Sequence, residues 1–481
     1  HQNTLLRTRS DASGRFTIQS AGAGNYLLSA EGENLSLPEA LRLDASRLDL
    51  VLTLLPSAQR STVQVTADAI NASIDDSGKA IDILDAESLS RRNEIFFLES
   101  LRLTPGLQVQ QIGGPGATAR IVTRGLRTAD TSLLIDGFRF RDVTSTQGEG
   151  AGLLPDLMLV NTDRFEVCRG SESTLYGTHA IGGVINVVTD AGGALNGRMH
   201  GQMDFEGGGL GLLRGLAKLS GGQGKWQWTG AVAHLNVMDG VDGTDRYRNT
   251  GTQGFVRYAV GSKTSLSGRI FTTEAFSQYN SGPGAKPGLS ALSGTLPGTL
   301  EFYTPQVNDP DARRATRTFT GLAGLDHQFT PGFSVRAQYN RLYSNRSDEN
   351  GPAGQGFQAR FRDYSQFQGE LDTFATRFTW AWAKRQTLLF GHEAEREHFF
   401  NFGDDFNPNP AQRAQRKIGI NQWSNALYAQ QQLRLGERLI LNLSGRSQIY
   451  SLRAPDFFGA TPIYGTGDLA SPPRALTGDA S

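Results

Sequence analysis

From residue 194 onward the chain alternates apolar and polar side chains with a period of two. Phe333, Val335, Ala337 and Tyr339 oppose Ser334, Arg336, Gln338 and Asn340. Phe374, Thr376, Phe378, Trp380 and Trp382 oppose Ala375, Arg377, Thr379 and Ala381. Leu439, Leu441 and Leu443 oppose Arg438, Asn442, Ser444 and Arg446. Eleven such runs fall between residues 197 and 453. Successive side chains of a strand point to opposite faces, so each run is a strand with one oily and one wet face. The connections alternate as well. Short ones lie at 221–224, 261–263, 330–332, 384–385 and 436–437, and mostly long ones at 237–250, 276–317, 346–365 and 401–417. Short turns at one rim and loops at the other mark a transmembrane antiparallel β-barrel, in which every backbone polar group pairs between strands. A soluble sandwich does not explain a loop as long as 276–317 in a regular place.

No run approaches the ~20 apolar residues of a membrane-spanning helix. The longest apolar stretch, 48–55, is interrupted by Asp49 and Thr53. The 58 glycines, 26 phenylalanines and 12 tyrosines suit a barrel wall, whose alternation hides the membrane signal from any hydropathy window. With 47 basic and 47 acidic residues the chain lacks the basic footprint of a nucleic-acid binder. Its one cysteine, Cys168, excludes an internal disulfide framework and reads as a small buried apolar side chain.

Residues 58–193 read differently, as mixed helix and strand. Residues 86–103 carry Leu89, Ile95, Leu98, Leu101 and Leu103 at helical spacing, with Asp85 as N-cap and Thr104-Pro105-Gly106 as the stop. Strands are predicted at 107–111, 119–124, 132–135, 164–167 and 184–189. The last two flank a turn region within T-D-R-F-E-V-C-R-G-S-E-S-T-L-Y-G-T-H-A-I-G-G-V-I-N-V-V-T, residues 162–189. This stretch closely resembles the end of the plug domain of TonB-dependent outer-membrane receptors. The upstream order L-R-L-T-P-G-L-Q-V, I-V-T-R-G-L and L-L-I-D-G-F-R resembles the same plug along its length. Residues 1–57 show short alternating runs split by turns, a small β-sandwich pattern with strands at 15–18, 26–30 and within 41–55. D-A-S-G-R-F-T-I followed by A-G-N-Y-L-L-S-A resembles the carboxypeptidase regulatory-like domain that precedes many such plugs.

The resemblance implies a plugged barrel of about 22 strands, of which residues 194–481 are about half. It implies no catalytic residue, cofactor or metal, and a place in the bacterial outer membrane among its lipids. It implies energised uptake of an iron-siderophore, cobalamin or glycan, driven by a TonB-type periplasmic coupling protein. The rivals are a structural or adhesive outer-membrane protein and a passive porin. With His1 first, no signal peptide ahead of it and no terminal aromatic strand, the chain is expected to be a fragment cut at both ends.

Residue by residue, Thr62, Val63, Gln64, Val65, Thr66 and Ala67, together with Ser61, resemble the TonB box, an extended segment that adds to a partner's sheet edge. Arg124 and Arg169 match the family arginines that face the barrel wall, where Glu393 and Glu395, on one strand face with Glu397, are candidate partners. Asp136 and Gly137 match a structural turn, and Glu166, Gly170, Tyr176, Gly177, Gly182 and Gly183 belong to the same plug motif. Gly182 and Gly183 are read as close-packing sites, since neither a GxGxxG nor a Walker lysine is present. Tyr279, Phe302 and Tyr303 are loop aromatics able to stack on a ligand. His392-Glu393-Ala394-Glu395-Arg396-Glu397-His398 fails as HExxH, because arginine stands at 396. Asp239, Asp242 and Asp245 are read as an ordinary solvated loop rather than a calcium site.

Overall fold

The computed structural model describes residues 79–480 except 112–113, 146–149, 151, 178, 194–195, 241–244, 279–308, 354–357, 384–385, 436–438 and 460–472. Before residue 79 it describes 8, 10–11, 14–18, 25–28, 30–32, 35–36, 41–44, 50–52 and 55–56. The chain divides into two compact units, residues 1–63 and 64–481.

In the first unit, β1 (Asn25–Leu28) pairs antiparallel with β4 (Leu41–Asp44). A second small sheet runs β2 (Glu31–Gly32), β3 (Leu35–Ser36), β5 (Leu55–Pro56). The turn expected at 11–14 is present, with Gly14 N donating to Asp11 O at 3.0 Å. The strand expected at 15–18 is not: those residues pair with no strand among the described residues. Alternation alone did not bring them a ladder partner.

The second unit holds an inner domain and a large sheet. In the inner domain, five strands run in the order β10 (Phe138–Arg139), β9 (Thr131–Ile135), β12 (Gly183–Thr189), β11 (Thr162–Arg169), β6 (Ala80–Asp85). The hairpin β7 (Leu107–Gln111) and β8 (Ala119–Thr123) stands beside them. The single helix expected over 86–103 is two, α1 (Ala86–Arg92) and α2 (Phe97–Leu101). Asp85 caps α1 as read, its carboxylate accepting from Ser88 N at 2.8 Å. Asn93 then turns left-handed, φ +50°, and Phe96 bridges to Met158 before α2 starts. That bridge redirects the chain so that Phe97, Leu98 and Leu101 all reach the core. Phe97 meets Phe165 edge to face at 5.1 Å. A third short helix, α3 (Ser173–Tyr176), follows β11.

The large sheet is an antiparallel meander. Its strands are β13 (Asn196–Gly208), β14 (Leu212–Gln223), β15 (Trp226–Val237), β16 (Tyr247–Ala259), β17 (Thr264–Gln278), β18 (Arg313–Thr330), β19 (Phe333–Asn350), β20 (Asp363–Ala383), β21 (Gln386–Asp404), β22 (Gln415–Arg434) and β23 (Ile440–Leu452). Short β24 (Asp456–Phe458) pairs with β22, and β25 (Arg474–Ala480) pairs with β23. All eleven predicted runs are strands, and β25 is one more. Connections at 224–225, 260–263 and 331–332 are short, whereas 238–246, 279–312, 351–362 and 405–414 are long, with 209–211 the exception on the long side.

One face of the sheet is apolar and exposed, with Leu213, Leu219, Val232, Ile270, Phe319, Phe374, Trp380, Trp423, Leu443 and Ile449. The other is polar and covered, with Gln253, Thr273, Asn340, Ser344, Thr373, Glu395, Gln430, Asn442 and Gln448 buried. Near the short-turn rim, rings stack from strand to strand: Phe329 on Phe333 at 5.1 Å, Phe333 on Phe378 at 6.2 Å, Phe378 on Phe390 at 5.1 Å. An aromatic row at that height is a membrane-interface girdle.

Twelve strands spaced ~4.8 Å apart make a sheet roughly 50 Å wide. The inner domain nevertheless touches the polar face from β14 (Lys218 to Asp190, 2.7 Å) to β25 (Asp479 to Lys79, 3.1 Å). A domain of this size reaches both only if the sheet curls around it. The polar face is therefore concave and the inner domain sits in its hollow. Where they meet, Phe271, Leu342 and Leu371 of the wall join the core of Phe140, Leu153 and Phe165. Gly369 stands where Val143 packs: a Cβ there would lie 2.4 Å from Val143 Cγ2.

Candidate functional site: the seam between inner domain and wall

The β9–β10 hairpin closes with two residues, Asp136 (φ +51°) and Gly137 (φ +87°), the signature of a tight type I′ turn. Its surroundings fix its direction. The Asp136 carboxylate accepts from Thr189 N at 2.9 Å and Thr189 Oγ1 at 2.8 Å, and Arg269 of β17 lies 3.3 Å away. Gly137 N donates to Asn186 Oδ1 at 3.0 Å, and Asn186 Nδ2 to Glu166 Oε2 at 3.2 Å. Arg164 closes the chain, 2.6 Å from Glu166 Oε1. Glu166 and Asn186 are fully buried. Asp136, Gly137 and Glu166 are thus one network spanning β9, β11 and β12, and it aims the residues after the turn at the wall.

Those residues carry two arginines at strand spacing. Arg139 Nη1 donates to Glu395 Oε2 at 3.0 Å and its Nη2 to Glu393. Arg141 pairs with Glu397. From the wall, Arg446 of β23 adds a second guanidinium to Glu393 at 2.5 Å and donates to Leu175 O of α3 at 3.2 Å. The side chains of Arg139, Glu395 and Arg446 are 8%, 2% and 2% exposed, so the latch is nearly dry. Burial opposes the charge on Arg139, but the carboxylates of Glu393 and Glu395 outweigh it and hold the guanidinium above its ordinary value. At Arg141 burial again opposes the charge, and the Glu397 carboxylate outweighs it. Such pairs add little net stability over an apolar isostere, yet losing one partner costs about 3–5 kcal/mol.

Glu393 and Glu395 meet plug-side arginines, but not the two anticipated. Arg169 lies 2.6 Å from Asp82 Oδ2 and donates to Pro105 O at 2.8 Å, bracing the inner domain. Its place beside β6, opposite Ala80, points it along its own sheet. Arg124 is exposed, in a left-handed turn at φ +51°, and makes no ion pair with the wall among the described residues. The signal that was available is the shared period of two: Arg139 and Arg141 after the Asp-Gly turn match Glu393, Glu395 and Glu397.

Further anchors follow the seam. Arg346 of β19 pairs with Asp142 at 3.1 Å. Tyr247 donates to Asp156 Oδ1 at 3.0 Å and Asn249 to Asp156 O at 2.8 Å. Burial pushes the Asp156 carboxyl up to about 6, against the opposing pull of nearby Thr316, of the Tyr247 hydrogen bond and of Arg314 and Arg346. The folded protein therefore holds this proton more tightly than the unfolded chain. The stabilisation is complete below about pH 4 and is lost as pH rises through about 6, a change on the order of 3 kcal/mol. Asp156→Asn is expected to flatten the dependence of the unfolding midpoint on pH over that window. A slope identical to the parent's would refute the assignment.

Tyr176 is half-buried against the wall, where Leu175 and Leu389 pack. Burial raises its hydroxyl well above the usual tyrosine range. Gly177 ends α3 at φ +82°, and its N donates to Ser173 O at 2.9 Å. Gly170 N donates to Gly182 O at 3.1 Å, and Gly182 N to Asp130 O at 2.7 Å. A Cβ on Gly183 would lie 2.4 Å from Cys168 O. Cys168 is buried, its Sγ 2.9 Å from Glu172 Oε1. His392 and His398 bond separately to Asn425 (3.3 Å) and Asn421 (3.1 Å). Thr62, Val63, Gln64, Val65, Thr66 and Ala67, the loop residues Tyr279, Phe302 and Tyr303, and Asp242 lie outside the described residues.

The comparisons match this geometry. The TonB-dependent Receptor Plug Domain family matches residues 73–184, and the TonB dependent receptor-like β-barrel family matches residues 213–473. The chain belongs to the TonB-dependent receptors. Its barrel is an outer-membrane barrel, and its inner domain is the plug. A vitamin B12 transporter, BtuB, of Vibrio cholerae serotype O1 is 27% identical over 286 residues, 60% of this chain and 36% of that protein. An iron-regulated outer membrane virulence protein of the same organism is 36% identical over 133 residues, 27% of this chain and 20% of that protein. The chain thus spans well under half of these curated relatives. Among solved structures, the ferripyoverdine receptor of Pseudomonas aeruginosa superposes with a TM-score of 0.65 at 14% identity, covering 90% of this chain and 58% of that one. The ferric-catecholate import receptor Fiu of E. coli gives 0.63 at 17%, covering 85% and 66%. At such identities the structures speak for the fold.

Proposed function

We propose that this receptor takes up a scarce ligand, an iron-siderophore or cobalamin, by energised displacement of its plug. The observation that supports it is the latch. A permanent stopper is best seated by apolar packing, whereas Arg139, Arg141 and Arg446 against Glu393, Glu395 and Glu397 form charged hydrogen bonds that water can take over one by one as the seam opens. Residues 61–67 are the TonB box that a TonB-type periplasmic protein grips by strand addition, and residues 1–57 are a carboxypeptidase regulatory-like domain. The choice of cargo rests on the B12-transporting and iron-regulated relatives, glycans being the alternative. Uptake of labelled ligand by cells carrying the receptor is expected to collapse when a protonophore dissipates the proton-motive force, while surface binding persists. Uptake that continues unabated would mean a passive channel.

A further inference from the structure

We propose that the plug–wall seam contains a binding site for a small free oxyanion of the phosphate or sulfate class, centred on Arg377. A cavity of about 110 Å³ lies between plug and wall, and Arg377 of β20 lines it with Arg336, Gln338, Tyr176 and Tyr428. Six charged residues border this space, and five are compensated. Asp136 has Arg269 at 3.3 Å, and Arg336 has Asp326 at 2.5 Å. Glu393 and Glu395 are balanced by Arg139 and Arg446. Arg377 has no ion pair or hydrogen bond among the described residues, so one positive charge is left over once the pairs are struck off.

Its position makes the surplus sharper. Arg377 stands directly opposite Arg336 on β19, and like charges so placed repel. On its other side it faces Gly391, which brings no side chain of its own. A half-buried cation that shares its one nearby carboxylate, Asp326, with Arg336 gains from a further anion, and a guanidinium offers five donors in a planar fork suited to oxyanions. Size chooses the ligand. A cavity of about 110 Å³ holds a tetrahedral oxyanion together with several waters. A siderophore or cobalamin does not fit. Because Leu175 and Tyr176 come from the plug and Arg336, Arg377 and Tyr428 from the wall, an ion here bridges the two parts. This inference is independent of what the receptor transports.

The test uses the complete receptor purified in detergent in chloride buffer. Radiolabelled inorganic phosphate is dialysed to equilibrium, with unlabelled sulfate as competitor at constant ionic strength. One saturable, sulfate-competed site is expected, with a dissociation constant of about 1 mM, and phosphate should raise the thermal midpoint. R377Q should lose the site while keeping its midpoint in chloride at or above the parent's, since it removes an uncompensated charge. R377K, which keeps the charge but not the fork, should weaken binding about tenfold, and it carries the test if R377Q does not assemble. Absence of saturable binding in the parent, undiminished binding in R377Q or parent-like binding in R377K would each overturn the proposal, as would a fall in the R377Q midpoint in chloride.

Discussion

Replacing Glu393 with alanine will leave Arg139 and Arg446 crowded together in a dry seam with one carboxylate fewer, and the plug will lose its seat. Glu393 is the shared acceptor of both guanidinium groups, one from the plug and one from the wall. Its removal leaves Arg139 with Glu395 alone and Arg446 with no carboxylate partner, so the expected loss is about 3–5 kcal/mol. Glu397→Ala should cost less, because Glu397 serves Arg141 alone. In planar bilayers the parent receptor is expected to be silent, and Glu393→Ala to show frequent openings. If the variant proves as silent and as heat-stable as the parent, the latch does not hold the plug. Adding Arg139→Met should recover part of the loss, since the stranded plug cation then goes too, and a double-mutant cycle would measure the coupling.

Deleting residues 61–67 should reduce uptake of the cognate ligand at least ~100-fold, to the level of a strain without the receptor, with binding at the cell surface unchanged. The reasoning is mechanical. A seam with this many charged contacts between plug and wall opens too seldom on thermal energy alone, and the segment just ahead of the plug in sequence is where, as proposed, a partner adds a strand and pulls. Substituting proline for Val63 and Val65 should act almost as strongly, because each removes a backbone donor from the added strand. Full-rate uptake by the deletion strain would place the energy coupling elsewhere.

The barrel was legible because its physics is periodic. Lipid on one side and water on the other force the alternation seen at Phe374 to Trp382, and the turn side and loop side declare themselves by length. Asp85 as a cap and Asp136-Gly137 as a turn were legible for a similar reason: each acts on neighbours within a few residues. The break at Asn93 was not, since it depends on Phe96 meeting Met158, sixty-two positions away in sequence. The latch was half legible. Three glutamates at spacing two announced a charged strand face, but which arginines meet it depends on how the plug sheet is rotated in the barrel, and no local pattern records that. Arg377 looked like any inward-facing polar residue of a barrel strand. Only the pairing of its neighbours reveals it as a charge left over.

The strand order of the plug sheet has a mechanical consequence. Under the proposed coupling the pull enters ahead of β6, which is one edge of this sheet, while β10, which leads into the latch, is the other. Tension entering through β6 must cross four strand pairings before it loads Arg139. The first of these, β6 against β11, lies at the edge, with no further strand outside it among the described residues. Under that proposal the edge peels before the far side feels the full load, so the plug yields as a fabric unravels from its hem, and a passage can form while the opposite border is still fastened to the wall.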